Sequence, residues 1–171
     1  MSDLLPRVDP ARDLTRPARA YASILRTPPG RWLAINVAAR LDPHLLKLSR
    51  GRFGMGLMLP SALLTTTGAK SGQERVNTVL YFHDGEDVVV IASSFGRDKH
   101  PAWYHNLKAH PQVRIAKDGG GEPRTAIEAT DPDEYARLWA KALQIYPPYD
   151  DYRRRTEAIG RRIPIVRLVR A

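Results

Sequence analysis

Gly68, Lys70, Ser71 and Gly72 sit together between two apolar runs, and Arg75 and Asn77 alternate onto one face of the run that follows. This reads as a turn carrying a cation and a hydroxyl, with a second cation on the adjoining strand. Further on, Ser93 and Ser94 end another apolar run, and Lys99 leads into Pro101, Ala102, Trp103 and Asn106. Pro101 suits the first position of a helix, where its missing N–H would have had no partner, so the amides around residues 99–103 can meet an anion. Turn-borne Lys, strand-borne Arg and a helix N-terminus together suit a ligand with a phosphate or carboxylate tail. Each feature alone has an ordinary reading, an exposed lysine in a hairpin turn above all. Their placement at the ends of adjoining elements argues for one site.

Other chemistries find less support. Gly68 to Gly72 lacks the spacer of a Walker phosphate loop. His100, His105 and His110 follow one another at intervals of five, which on a helix turns successive rings roughly 140° apart and gives no shared metal face. Ser93 and Ser94 lack the strand–turn–helix setting of a nucleophile elbow. Cysteine is absent, which removes disulfides, thiolate metal sites and a Cys nucleophile together. Tyr146, Tyr149 and Tyr152 bracket Pro147-Pro148. They either cover a helix junction or line a pocket mouth, where a phenol adds a flat apolar wall and a hydrogen-bond donor.

The elements that must position these residues can be read from apolar periodicity. Strands are expected over Leu63 to Thr67, Arg75 to Phe82 and Val88 to Ser94, with Asp84-Gly85 reversing the chain between the last two. Val113 to Ala116 and Thr125 to Ala129 form a further hairpin, and Ile163 to Val169 a closing strand. Asp131, Pro132 and Glu134 mark a capping-box helix start, followed at helical spacing by Tyr135, Leu138, Trp139, Ala142 and Leu143. A short helix is expected from Asp150 to Ile159. The fold class is α+β, a split β-barrel of mostly antiparallel strands with flanking helices. Residues 1–60, broken by prolines, read as an N-terminal helical arm, part of the same fold or peripheral to it, and residues 61–171 as the barrel that carries the site.

Residues 1–60 hold ten Lys/Arg against four Asp/Glu, a large part of the net charge of +9. Such an excess concentrates polyanions without choosing among nucleic acid, anionic lipid and an acidic cofactor. No secretory signal opens the sequence, and no uncharged run approaches the roughly 20 residues of a transmembrane helix. A cytoplasmic protein is expected. Contact with the inner face of an anionic membrane is a second possibility, through a basic helix between Arg31 and Leu48.

From about Leu63 to Val169 the chain resembles the deazaflavin-dependent nitroreductase family, flavin-reductase-like split β-barrels that use coenzyme F-420, an 8-hydroxy-5-deazaflavin. The resemblance rests on LLTTTGAKSG, the Arg75-Val76-Asn77 that follows, Ala92-Ser93, KHPAWYHNLKAHP, and ATDPDEYARLWAKALQIYPPYDDY with IPIV after it. It implies that Lys70, Ser71, Arg75 and Asn77 surround the phosphate and oligoglutamate side of the coenzyme. Ser93, Ser94, Lys99, Pro101, Ala102 and Trp103 would line the deazaflavin and ribityl portion, with Asn106 nearby. Tyr146, Tyr149 and Tyr152 fall on the tyrosines that shape the substrate pocket and would be the catalytic set. In place of the family's small glycine-rich turn this chain has Ser94-Phe95-Gly96-Arg97, a bulkier roof over the ring.

The activity implied is hydride transfer from the reduced coenzyme to a small electron-poor acceptor, a quinone or a nitroaromatic, by a monomer or homodimer that binds no nucleic acid. Two alternatives from other classes are a basic nucleic-acid-binding barrel and a non-catalytic deazaflavin- or lipid-binding protein. Against the first, Tyr81 and Phe82 point to opposite faces of their strand, so they build no stacking platform.

Overall fold

The computed structural model describes residues 5–8, 24, 27–33, 59–117 and 121–170. Strands β1 (Ser61–Thr67), β2 (Glu74–Asp84), β3 (Asp87–Ile91), β4 (Gln112–Ala116), β5 (Pro123–Glu128) and β6 (Ile165–Arg170) close into a barrel in the order β1-β2-β3-β6-β5-β4. Every pairing is antiparallel, including the β1–β4 seam that closes it. Between β2 and β3 the chain reverses at Gly85, whose φ of 63° suits a residue without Cβ.

Strand alternation sorts the apolar side chains into two layers. Leu64, Val79, Tyr81, Val88, Val90, Ile115, Val166 and Leu168 fill the barrel interior. Their neighbours in sequence, Phe82, Val89, Ile91 and Ile165, face outward. Tyr81 and Phe82 thus do point apart, and both are buried. A period of two along each strand produces this division, and slipping one residue would exchange the layers.

The helices α1 (Pro28–Leu33), α2 (Ala102–Ala109), α3 (Pro132–Ile145) and α4 (Tyr149–Glu157) accompany the barrel. Trp103 and Leu107 of α2 join the interior cluster, so this helix covers part of the barrel. Leu138, Trp139, Ala142 and Ile145 of α3 pack on the outward layer. The Asp131 carboxylate caps α3 by accepting from the amides of Asp133 at 3.1 Å and Glu134 at 2.8 Å, a contact worth about 1 kcal/mol. Glu134 pairs with Arg167 of β6, tying the first turn of α3 to the barrel.

Several boundaries differ from the sequence expectation. The strand expected to reach Ser94 stops at Ile91, because Ser94 and Phe95 turn left-handed at φ 52° and 56°. The closing strand begins at Ile165, after Pro164, whose carbonyl instead accepts from the Ala92 amide at 2.9 Å. Pro101 is the cap of α2 and not its first helical residue: its ψ of 148° is extended while its carbonyl accepts from the Tyr104 amide. The arm read over residues 1–60 lies mostly outside the described residues, as does most of the basic helix expected from Arg31 to Leu48. Of that region, Leu5 is buried against the barrel, and Val8 exchanges bonds with the His83 side chain and backbone at 3.1 Å. Among the described residues no helix is long and apolar enough to cross a membrane.

Candidate functional site

The turn between β1 and β2 is held from within and from the side. Gly68 donates to the Gln73 carbonyl and accepts from the Gly72 amide, both at 2.8 Å. The Ser71 hydroxyl accepts from the Gln73 amide at 3.3 Å. A Cβ on Gly68 would lie 2.6 Å from that hydroxyl oxygen and 3.2 Å from the Gln73 carbonyl oxygen, so a larger residue there would displace the Ser71 side chain from the turn. From the side comes Asn106 of α2: its carbonyl oxygen accepts from the Ala69 amide, and its amide nitrogen donates to the Thr66 hydroxyl, both at 3.1 Å. One side chain therefore binds the turn to α2, from the second turn of that helix. Asn106 does this as a strut, its amide committed to protein partners.

The cations on the turn and on β2 are left free, as is Lys99 ahead of α2. Lys70, Arg75 and Lys99 are exposed, and among the described residues no carboxylate pairs with any of them. Arg75 reaches only the Gln73 side chain, at 3.3 Å. Arg75 and Asn77 occupy the same strand face as the interior residues Val79 and Tyr81, so they continue the inward row of β2 beyond the packed core. Several cations elsewhere are paired, Arg137 and Lys141 with Asp84, Lys108 with Glu128 and Arg114 with Glu74, although Arg97 and Arg162 are also exposed. Unpaired cations beside a glycine-closed turn fit an anionic ligand that arrives from outside.

The Ser93–Gly96 segment and the tyrosines form a second neighbourhood. Three successive residues, Ser94, Phe95 and Gly96, have positive φ. Only the last is glycine, so the serine and phenylalanine carry strain of order 1–3 kcal/mol each. A Cβ on Gly96 would stand 3.1 Å from the Tyr152 Cα, and the Phe95 ring meets the Tyr152 ring edge-on at 6.4 Å. The turn leans directly on α4. Tyr146, Tyr149 and Tyr152 do not line an open mouth in this structure. They are 4%, 5% and 2% exposed within the outward layer, with the Tyr146 and Tyr152 hydroxyls 3.1 Å apart. Their rings pack edge-on and tilted against one another and on Trp139, because α3 and α4 meet where Pro147-Pro148 breaks the chain. Burial raises the Tyr149 phenol above its ordinary range, which keeps it protonated.

Sequence reading passed over Arg161. It is 8% exposed, donating to the Ser93 carbonyl at 2.7 Å and meeting His100 Nδ1 at 2.9 Å. Its Nε has no partner. Guanidinium only donates, so His100 Nδ1 must accept and the ring proton sits on Nε2. Burial, then the charges of Arg161 and His105, hold the His100 pKa below the usual imidazole value against a weaker opposing pull from Glu128. His100 and Arg161 open on a cleft of about 700 Å³ that also touches Lys99, Ala102, Tyr104 and Glu128. Tyr104 donates to Glu128 at 2.9 Å, and burial with that contact raises its pKa to about 12.

A family model described as F420H(2)-dependent quinone reductase matches residues 38–169. The match begins well inside the segment read as an arm. An F420H(2)-dependent quinone reductase of Mycobacterium tuberculosis (strain ATCC 25618 / H37Rv) is 38% identical over 148 residues, 82% of this chain and 97% of that protein. A solved F420-H2 dependent reductase (FDR-A) superposes with a TM-score of 0.56 at 36% identity, covering 64% of this chain and 93% of its own. A second solved structure, described as a domain-swapped dimer, gives 0.58 at 32% identity, covering 82% and 98%.

Proposed function

Since the chain belongs to the F420H(2)-dependent quinone reductase family, we propose that the junction of the β1–β2 turn with α2 is where this oxidoreductase holds coenzyme F-420, and that a quinone is its acceptor. The bound coenzyme supplies a carbon-centred hydride donor, because a deazaflavin has carbon where a flavin has N5. The chain supplies binding and orientation. Lys70 and Arg75 receive the phosphate and oligoglutamate charge, with Ser71 and Asn77 at the same edge. Lys99, Ser93, Ser94 and the backbone from Pro101 to Trp103 bound the ring and ribityl portion.

The observation that carries this reading is the pair of free cations, Lys70 and Arg75, on and beside the turn that Asn106 braces, with a third, Lys99, ahead of the same helix. A single phosphate would need fewer. Tyr146, Tyr149 and Tyr152 act on the acceptor side through the turn that rests on Tyr152. Buried as they are, they do so by setting that turn and not by touching the quinone. A nitroaromatic would be accepted opportunistically. A monomer and a homodimer both accommodate this site, and peripheral contact with an anionic membrane would fall to the basic N-terminal region.

Titrating the protein with oxidised F-420 and with flavin mononucleotide tests the assignment. Tryptophan fluorescence should quench saturably with F-420, and reduced F-420 should support quinone turnover. Equal or tighter binding of flavin mononucleotide, with turnover to match, would overturn it.

A further inference from the structure

We infer that Arg161 is a positioning residue for coenzyme use, setting the loop from Ser93 to His100 by clamping both of its ends. One guanidinium nitrogen holds the Ser93 carbonyl and the other meets His100 Nδ1, at 2.7 and 2.9 Å. Between these anchors lie the left-handed Ser94, Phe95 and Gly96 and the exposed Lys99. Backbone in that conformation needs support from outside itself. Phe95 and Gly96 lean on Tyr152 from one side, and Arg161 ties the ends from the other.

The choice of residue carries the argument further. A buried arginine with an unpartnered Nε costs desolvation that an apolar side chain would avoid. What it adds is a rigid planar fork able to span two acceptors, which lysine lacks. The fork also selects the His100 tautomer and directs its Nε2 proton away from Arg161. The charged and titratable groups around His100 are Arg161 and Arg162 after α4, Tyr104 and His105 on α2, Glu128 on β5, and Asp98 and Lys99 on its own loop. Of these groups, Arg161 is the one hydrogen-bonded to both loop ends. This inference rests on the reading that the Ser93–His100 loop bounds the coenzyme.

The test uses the full chain with Arg161→Met, which fills space, and Arg161→Lys, which keeps the charge but loses the fork. Three readouts are needed: F-420 affinity by fluorescence, thermal midpoint, and the His100 tautomer by long-range ¹H–¹⁵N NMR, with His100→Asn assigning the signal. In the parent, His100 should carry its proton on Nε2 and stay neutral below the ordinary imidazole midpoint of about 6.5. Both variants should weaken F-420 on the order of tenfold or more, and in Arg161→Met the His100 signal should change tautomer balance. If Arg161→Met does not fold, the lysine variant decides. Parent protein that fails to bind F-420 would overturn the coenzyme reading itself. Parent that binds, beside folded variants of equal affinity, would leave the reading standing and overturn the role of Arg161, whatever happened to the thermal midpoint.

Discussion

At the scale of single residues, Lys70 and Arg75 are the sharpest test of the anion site, since neither has a carboxylate partner among the described residues and both are exposed. Truncating either to alanine removes a charge without opening a cavity, so the fold should survive unchanged in its circular dichroism. Coenzyme affinity should fall by roughly 1.5–3 kcal/mol per substitution if each makes a charge-assisted hydrogen bond. Calorimetric titration of Lys70→Ala and Arg75→Ala reads this directly, and unchanged affinity in both would return them to ordinary solvated surface. The reach of sequence at this scale was uneven. Lys70 and Arg75 stand out because glycines and an alternating strand frame them. Arg161 and the still more buried Arg124, which bonds the Leu168 carbonyl at 3.1 Å, are two among 27 Lys/Arg. Nothing local distinguishes a buried arginine from a solvated one, because its partners are distant in sequence. Asn106 lay within a legible block, yet its work as a strut depends on Thr66 and Ala69, about forty residues away.

At the scale of elements, strand and helix existence followed from period and capping, whereas ends were decided by contacts that no local pattern encodes. The Ser94 reversal is one such case, and it displaced the expected strand end by three residues. The α3–α4 junction is another. Its tyrosines read equally as a pocket mouth or as a junction cover, and burial to 5% or less places them in the packed layer. Their proposed influence on the acceptor is separable by Tyr→Phe substitution at 146, 149 and 152. Coenzyme affinity should stay nearly intact. Loss of the Tyr146–Tyr152 hydroxyl contact should loosen the turn that rests on α4 and mainly raise the Michaelis constant for a menaquinone analogue. If single and triple variants match the parent, the tyrosines serve packing alone.

The end of β2 offers a pH test of how α3 is fastened. Arg137 grips both oxygens of Asp84 at 2.7 and 2.8 Å, and Lys141 adds a bond at 2.6 Å. The Arg137 hydrogen bond first, and then Lys141, hold the carboxyl far below its usual range against the opposing effect of burial. A depressed folded-state pKa contributes stability above the unfolded value, about 3.9, and loses it as pH falls toward the folded value. Arg137 is half exposed, so solvent screening reduces the contribution to about 1–2 kcal/mol. Asp84→Asn should therefore be less stable than the parent by that amount in neutral urea titrations. The two curves should draw together as pH falls below about 4, and a constant gap across the acid range would assign the loss to packing.

At the scale of the whole molecule, closing the sheet through the β1–β4 seam sets α2, which leads into β4, beside the end of β1, where Asn106 meets Thr66 and the turn that bears Lys70. Chain order separates these parts, and only the barrel unites them. That convergence was inferable from sequence because both blocks end elements, but the barrel's closure supplies the physical reason. The net charge of +9 then acts on any polyanion through long-range attraction, whereas the proposed site residues Lys70, Arg75 and Lys99 would act at contact. Salt distinguishes the two contributions, because a Debye length shrinks from about 10 Å at 0.1 M to about 3 Å at 1 M ionic strength. F-420 affinity should fall as salt rises, more steeply for the coenzyme with its oligoglutamate tail than for a tail-less deazaflavin. In Lys70→Ala/Arg75→Ala the difference between the two ligands should narrow, while the residual salt dependence from net charge persists. Fluorescence titrations of both ligands at several chloride concentrations would measure it. Parallel salt dependences for tailed and tail-less ligands in the parent would mean that the tail lies away from these cations and that the site recognises the ring alone.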